Sequence, residues 1–125
     1  MGGGSLLDIG IYPVFLALSI LGIPKSIEST ATFFTNGADS SCDMIFNYDN
    51  SKAILKSTFL KETLTEAIFT CEYGVIIINT RFHQPTTITL VQNGIEEHLD
   101  FSAETFGYNF EIEHFNQLLR DNKKE

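Results

Sequence analysis

The sequence predicts an α+β fold, a mainly antiparallel β-sheet with a helix packed against it. Three observations predict it. An apolar stretch near the N-terminus has the length and flanking signals of a buried helix. After Pro24 the apolar residues change to strand spacing, with turn dipeptides at short intervals. Near the C-terminus the spacing becomes helical again. The chain has 125 residues, 43% hydrophobic and 19% charged, enough to bury a core as one domain and too apolar for disorder. Eleven Phe and four Tyr with no Trp suit strands or an aromatic-rich core.

Met1-Gly2-Gly3-Gly4 opens the chain. Consecutive glycines are costly to order and suit a backbone that passes close to something. Such a start is expected at a domain boundary. Ser5 can cap the helix that follows. From Leu6 to Leu21 the chain is apolar nearly all round, so this helix is buried on most sides. Pro13 interrupts it. Either the helix kinks there, or a short turn around Leu6–Asp8 precedes a second helix from about Ile11. Gly22 and Pro24 form a stop signal.

Seven segments then read as strands: 27–35, 42–48, 53–60, 65–73, 75–79, 87–91 and 96–101. Asn36-Gly37, Asp49-Asn50, Tyr73-Gly74 and Asn93-Gly94 separate them, and the short spacing implies hairpins. Apolar residues fall on both faces: Ile54 points opposite to Leu55, and Phe33 opposite to Phe34. Both faces therefore need cover, one from the helix and the other from a partner subunit or another domain. A last helix is expected over Asn109–Asn122, with Phe110, Phe115, Leu118 and Leu119 forming one stripe. The polar tail after it is expected to fray.

A formal net charge of −8 excludes nucleic acid and anionic membranes as natural partners, because both require basic surface. Cys42 and Cys71 lack metal-type spacing and read as reduced, buried strand residues. The apolar run Val14–Leu21 is too short to span a bilayer, and no signal-peptide pattern precedes it. A cytoplasmic location is expected.

The chemistry-bearing segment is Gly2-Gly3-Gly4-Ser5-Leu6-Leu7-Asp8-Ile9-Gly10-Ile11-Tyr12-Pro13. Asp8 and Tyr12 are four apart, which on a continuous helix puts both on one face. An acid in so apolar a segment is costly to bury unless paired or lining a cavity. A neighbouring phenol can exchange a proton. Spacing alone favours a capping Asp and a core Tyr.

This segment resembles the opening of the C-terminal domain of the glucose–fructose oxidoreductase and inositol dehydrogenase family. Gly-Gly-Gly-x-Leu-x-Asp-x-Gly followed by Tyr is similar to its dihydrodiol dehydrogenase-like branch. The similarity continues through Gly22-Ile23-Pro24, the strands and Tyr108-Asn109-Phe110-Glu111-Ile112-Glu113-His114-Phe115. The resemblance implies an open, mostly antiparallel sheet with helices on one face, the other face making a homo-oligomer contact, expected to be a dimer. It implies that 1–125 is the substrate-binding and oligomerisation domain of an NAD(P)-dependent oxidoreductase acting on a sugar, polyol or diol hydroxyl. By position, Asp8 corresponds to the substrate-orienting acid and Tyr12 to the acid/base. Arg81, Phe82 and His83 fall where the family borders its substrate pocket, Phe82 as an apolar wall and Arg81 or His83 as a polar contact; an exposed loop is the competing reading.

The chain departs from the family in having no Gly-x-Gly-x-x-Gly and no Glu-Lys-Pro. The NAD or NADP site and the family lysine are therefore expected on a missing Rossmann domain, and the chain alone is expected to be inactive and to bind neither cofactor nor metal. Glu111 and His114 have a di-iron-type spacing without a second pair, so a solvated helix face is expected. His98 reads as a strand-surface residue. A non-catalytic dimerisation module, or a small-ligand-binding α+β domain, is the alternative.

Overall fold

The computed structural model describes residues 3–105 and 107–124. Met1 and Gly2, which begin the glycine run, lie outside the described residues, as do Phe106 and Glu125. The chain divides into two compact units, Met1–Thr63 and Leu64–Glu125.

In the first unit, a π-helical turn, Leu6–Gly10, leads directly into α1, Ile11–Leu21. Of the two expected arrangements, the one with a short turn followed by a helix from Ile11 is found, and Pro13 lies inside that helix. Proline has no N–H to offer the carbonyl four residues back. Its position in the first turn of α1, just after a turn that closes over five residues instead of four, accommodates that loss.

β1 (Ser26–Phe33), β2 (Asp39–Asn47) and β3 (Lys52–Thr58) form an antiparallel sheet in the order β1-β2-β3. Alternation in β2 turns Cys42, Met44 and Phe46 to one face. The register pairs them with Ser57, Leu55 and Ala53 of β3. Ala17 of α1 closes on Cys42, Met44, Phe46 and Leu55, with Leu6 and Val14 packed at the margin. Each large side chain fully buried this way contributes about 1.5–3 kcal/mol. Ile54 faces the other way and is 59% exposed. β2 starts three residues before the expected Cys42. Its opening Ser40 and Ser41 are weak strand formers, but their hydroxyls lie 2.7 and 2.8 Å from the Thr32 hydroxyl across the ladder.

In the second unit, β4 (Ala67–Cys71), β5 (Gly74–Ile78), β6 (Thr87–Gln92) and β7 (Ile95–Asp100) form a sheet in sequence order, again antiparallel. Asn93 (φ 52°) and Gly94 (φ 76°) make the two-residue turn between β6 and β7, the left-handed pair that such hairpins demand. Phe69, Ile76 and Leu90 share one face, and Ile68 and Ile77 the other. None of these is buried; every buried apolar side chain among the described residues belongs to the first unit.

α2 (Tyr108–Asp121) ends with Asn122 in the left-handed conformation. The Lys123 N–H donates to the Leu118 carbonyl at 3.0 Å, a Schellman-type closure. The start of the expected frayed tail is thus hydrogen-bonded.

The antiparallel α+β architecture is as expected, its strands divided between two sheets. Three expectations need correction. Ser5 does not cap its helix: it is helical itself and its hydroxyl makes no capping bond. Cys42 is buried, but Cys71, at the end of β4, is exposed. The apolar stripe of α2 is Tyr108, Ile112, Phe115 and Leu119, spaced 4, 3 and 4 residues; at 3.6 residues per turn Phe110 lies on the opposite side. No helix among the described residues is long and apolar enough to cross a membrane.

Candidate functional site

The helix that carries Asp8 and Tyr12 has two distinct sides. Leu6, Val14 and Ala17 face the core, with Gly10 buried between them. Asp8 is exposed and Tyr12 is 42% exposed, beside Leu7 (72%), Ile11 (50%) and Phe15 (70%). An acid and a phenol therefore share an outward face whose remaining side chains are apolar. A carboxylate accepts hydrogen bonds and can orient a hydroxyl; a phenol both donates and accepts.

The N-terminus of this helix is secured from the sheet. Asp39, the first residue of β2, turns Oδ2 toward it. That oxygen accepts the Ser5 hydroxyl at 2.8 Å and the Leu6 N–H at 2.8 Å. The Ser5 hydroxyl, fully buried, also lies 3.2 Å from that of Ser57 on β3. The Leu6 amide, and then the Ser5 hydroxyl, hold the Asp39 carboxyl below the usual carboxylate range. A negative cap also suits the positive end of the helix dipole.

Two glycines of the motif serve this docking. A Cβ on Gly4 would fall 1.8 Å from Asp39 Oδ1. A Cβ on Gly10 would fall 3.0 Å from Ser57 Oγ. Gly4 thus admits the Asp39 carboxylate, a sheet contact within the unit.

Arg81, Phe82 and His83 lie in the second unit, in the loop between β5 and β6. The Arg81 and Phe82 N–H groups donate to the Thr65 carbonyl at 3.1 and 3.2 Å, and the Gln84 N–H donates to the Arg81 carbonyl at 2.7 Å. Arg81 is left-handed, with φ 66°, a conformation that costs a non-glycine residue about 1–2 kcal/mol. The Phe82 and His83 rings meet edge to face, centroids 5.6 Å apart. Desolvation, and then the Arg81 charge, push the His83 imidazole below its ordinary pKa. A neutral imidazole beside a guanidinium can donate or accept at neutral pH. The fold brings Asp8 and Tyr12 to one helix face, and Arg81, Phe82 and His83 to one short loop in the other unit.

Sequence reasoning missed Asp39 and Ser57. Asp39 sits in a polar stretch, Asn36-Gly37-Ala38-Asp39-Ser40-Ser41, that reads only as a turn and strand start. It also missed the polar row Asn79–Thr89–His98 on the second sheet. There the Thr89 hydroxyl accepts from Asn79 Nδ2 at 3.1 Å and lies 3.1 Å from His98 Nδ1. His98 is on β7 and exposed, as expected. Glu111 and His114 are exposed on α2.

The fold recurs in a crystallised enzyme. KijD10, a 3-ketoreductase from Actinomadura kijaniata in complex with TDP-benzene and NADP, superposes over 100% of this chain and 42% of its own, with a TM-score of 0.85 at 19% identity. The architecture is therefore one that oxidoreductases use. Among curated proteins, trans-1,2-dihydrobenzene-1,2-diol dehydrogenase of Xenopus tropicalis is 32% identical over 136 residues, and scyllo-inositol 2-dehydrogenase (NADP(+)) of Bacillus subtilis 28% over 126 residues. Each match covers 100% of this chain but only 41% and 38% of those proteins, so the chain spans about two fifths of their length. No protein-family model matches. The chain is similar to dehydrogenases of the glucose–fructose oxidoreductase and inositol dehydrogenase family, and what it matches in these relatives is their C-terminal domain.

Proposed function

We propose that residues 1–125 are the substrate-side and oligomerisation domain of an NAD(P)-dependent oxidoreductase acting on a hydroxyl of a sugar, polyol or diol. The observation that carries this reading is the pairing of Asp8 with Tyr12 on an outward, otherwise apolar helix face. In this reading, Asp8 accepts a hydrogen bond from one substrate hydroxyl and fixes the ring's orientation. Tyr12 exchanges a proton with the reacting hydroxyl as it becomes a carbonyl. Arg81, Phe82 and His83 contribute a polar and apolar border to the substrate. A second domain covers Leu7, Ile11 and Phe15 and keeps water from the reacting hydroxyl.

The residues of this chain do not fit a dinucleotide. They include no glycine-rich phosphate loop, and their net charge is −8. In this proposal the nicotinamide, as NAD or NADP, accepts hydride while bound to residues outside these 125. The test is oxidation of scyllo-inositol and of trans-1,2-dihydrobenzene-1,2-diol with NADP+ by the full-length protein, beside NADPH titration of the chain alone. The proposal expects turnover in the first and no saturable binding in the second. A clear NADPH titration of the chain, or no turnover of any polyol or diol, would overturn it.

The same proposal assigns a homodimer to an open sheet face. The second sheet carries Phe69, Ile76 and Leu90 on one side and Ile68 and Ile77 on the other, none of them buried. Apolar side chains on both faces of a sheet call for cover on both. Light scattering of the full-length protein is expected to give twice the chain mass. A monomer at high concentration would count against the interface.

A further inference from the structure

Short π-helical turns recur at functional sites, and this one is gripped at both ends. At its start, one oxygen of Asp39 receives two hydrogen bonds, from the Ser5 hydroxyl and the Leu6 N–H, both at 2.8 Å. The other oxygen fills the space a side chain on Gly4 would take. At its end, Gly10 brings the helix backbone against Ser57, where a Cβ would fall 3.0 Å from its Oγ. Ser57 also reaches back to the buried Ser5 hydroxyl at 3.2 Å. Asp8 lies between the two grips, and Tyr12 two residues past the second.

We propose that Asp39 is a positioning residue for the Asp8–Tyr12 pair, its carboxylate setting where the π turn rests on the sheet and hence where both side chains point. This inference rests on the reading of Asp8 and Tyr12 as the reacting pair. Asp39 is on the core side of the helix and touches no substrate. It acts through Ser5 and Leu6. Loss of the grip lets the first turn shift, and a shift of about 1 Å in a reacting group costs roughly a hundredfold in rate. Only the geometry of Oδ2 matters to this role. An asparagine whose carbonyl oxygen takes that place accepts the same two hydrogen bonds.

The test compares Asp39→Ala with Asp39→Asn in the full-length protein, with scyllo-inositol or trans-1,2-dihydrobenzene-1,2-diol and NADP+. Asp39→Ala is expected to lower kcat about a hundredfold and to leave KM within about threefold. Asp39→Asn is expected to restore most of that kcat. A merely structural role would not split kcat from KM or respond to this rescue. Hydrogen exchange in the same proteins gives a readout without substrate. Amides of residues 5–12 should exchange about tenfold faster in Asp39→Ala, while β2 and β3 keep their protection. Unchanged kcat in Asp39→Ala, unchanged exchange, or an asparagine variant as impaired as alanine would overturn the inference. If Tyr12→Phe proves fully active while exchange responds as expected, the assignment of the reacting pair falls and the grip of Asp39 on the helix stands.

Discussion

Replacing Tyr12 by Phe in the full-length protein is expected to lower kcat/KM by roughly a hundredfold to ten-thousandfold, the range a positioned general acid or base contributes. The substitution keeps the ring and removes one oxygen. Tyr12 is 42% exposed on the side of the helix away from the core, so packing against the sheet does not change. Stability should shift by less than about 1 kcal/mol, the scale of one hydrogen bond. Steady-state kinetics with a polyol or diol substrate, beside urea unfolding of the same sample, separates the two effects. Equal activity of the variant would remove Tyr12 from the proton transfer. A loss of activity matched by a loss of fold would make it a packing residue instead.

Phe46→Ala has the opposite signature. Phe46 is 3% exposed and lies on the core face of β2, between Ile27 of β1 and Ala53 of β3. Truncating a buried phenylalanine removes its transfer energy and leaves a cavity, together about 3–5 kcal/mol. Total stabilities run to about 5–15 kcal/mol, so the variant should unfold at a much lower urea concentration. The core around it is small: Ala17, Cys42, Met44 and Leu55 are the other buried apolar residues among those described. Little else can move in to fill the space. A change below about 1 kcal/mol would mean that this core collapses onto the cavity, against the packing described.

Local patterns carried much of the fold. All seven expected strands are present, within a few residues of their expected ends. Period-2 alternation and left-handed turn pairs such as Asn93-Gly94 act within one hairpin, so neighbours in sequence decide them. α2 was legible from its spacing, although Phe110 was assigned to the wrong side of it. Cys71 was harder: burial depends on what lies across the sheet, and no local pattern states that. Pro13 left two options open. The helix continues because a π turn upstream and a first-turn position together absorb the missing N–H, and both depend on how the segment sits on the sheet.

The candidate site divides the same way. Spacing could place Asp8 and Tyr12 on one helix face, but only the motif's resemblance to a family singled them out as a site. Arg81, Phe82 and His83 could be named as a stretch, but the Thr65 carbonyl that accepts from the Arg81 and Phe82 N–H groups lies 16 or more residues away in sequence. Asp39 was invisible because it serves a helix 34 residues away.

By itself, then, the sequence determined the class of fold, the order of its elements and the placing of Asp8 and Tyr12 on one helix face, since each follows from side chains a few positions apart. Only the tertiary structure decided that Ser5 is a capped residue instead of a cap, and that the strands divide into two sheets. It also decided that Gly4 and Gly10 exist to let β2 and β3 approach the helix. The physical reason is range. Periodicity and turn chemistry are short-range properties written along the chain, whereas a hydrogen bond from Ser5 to Asp39 exists only once two distant segments have met.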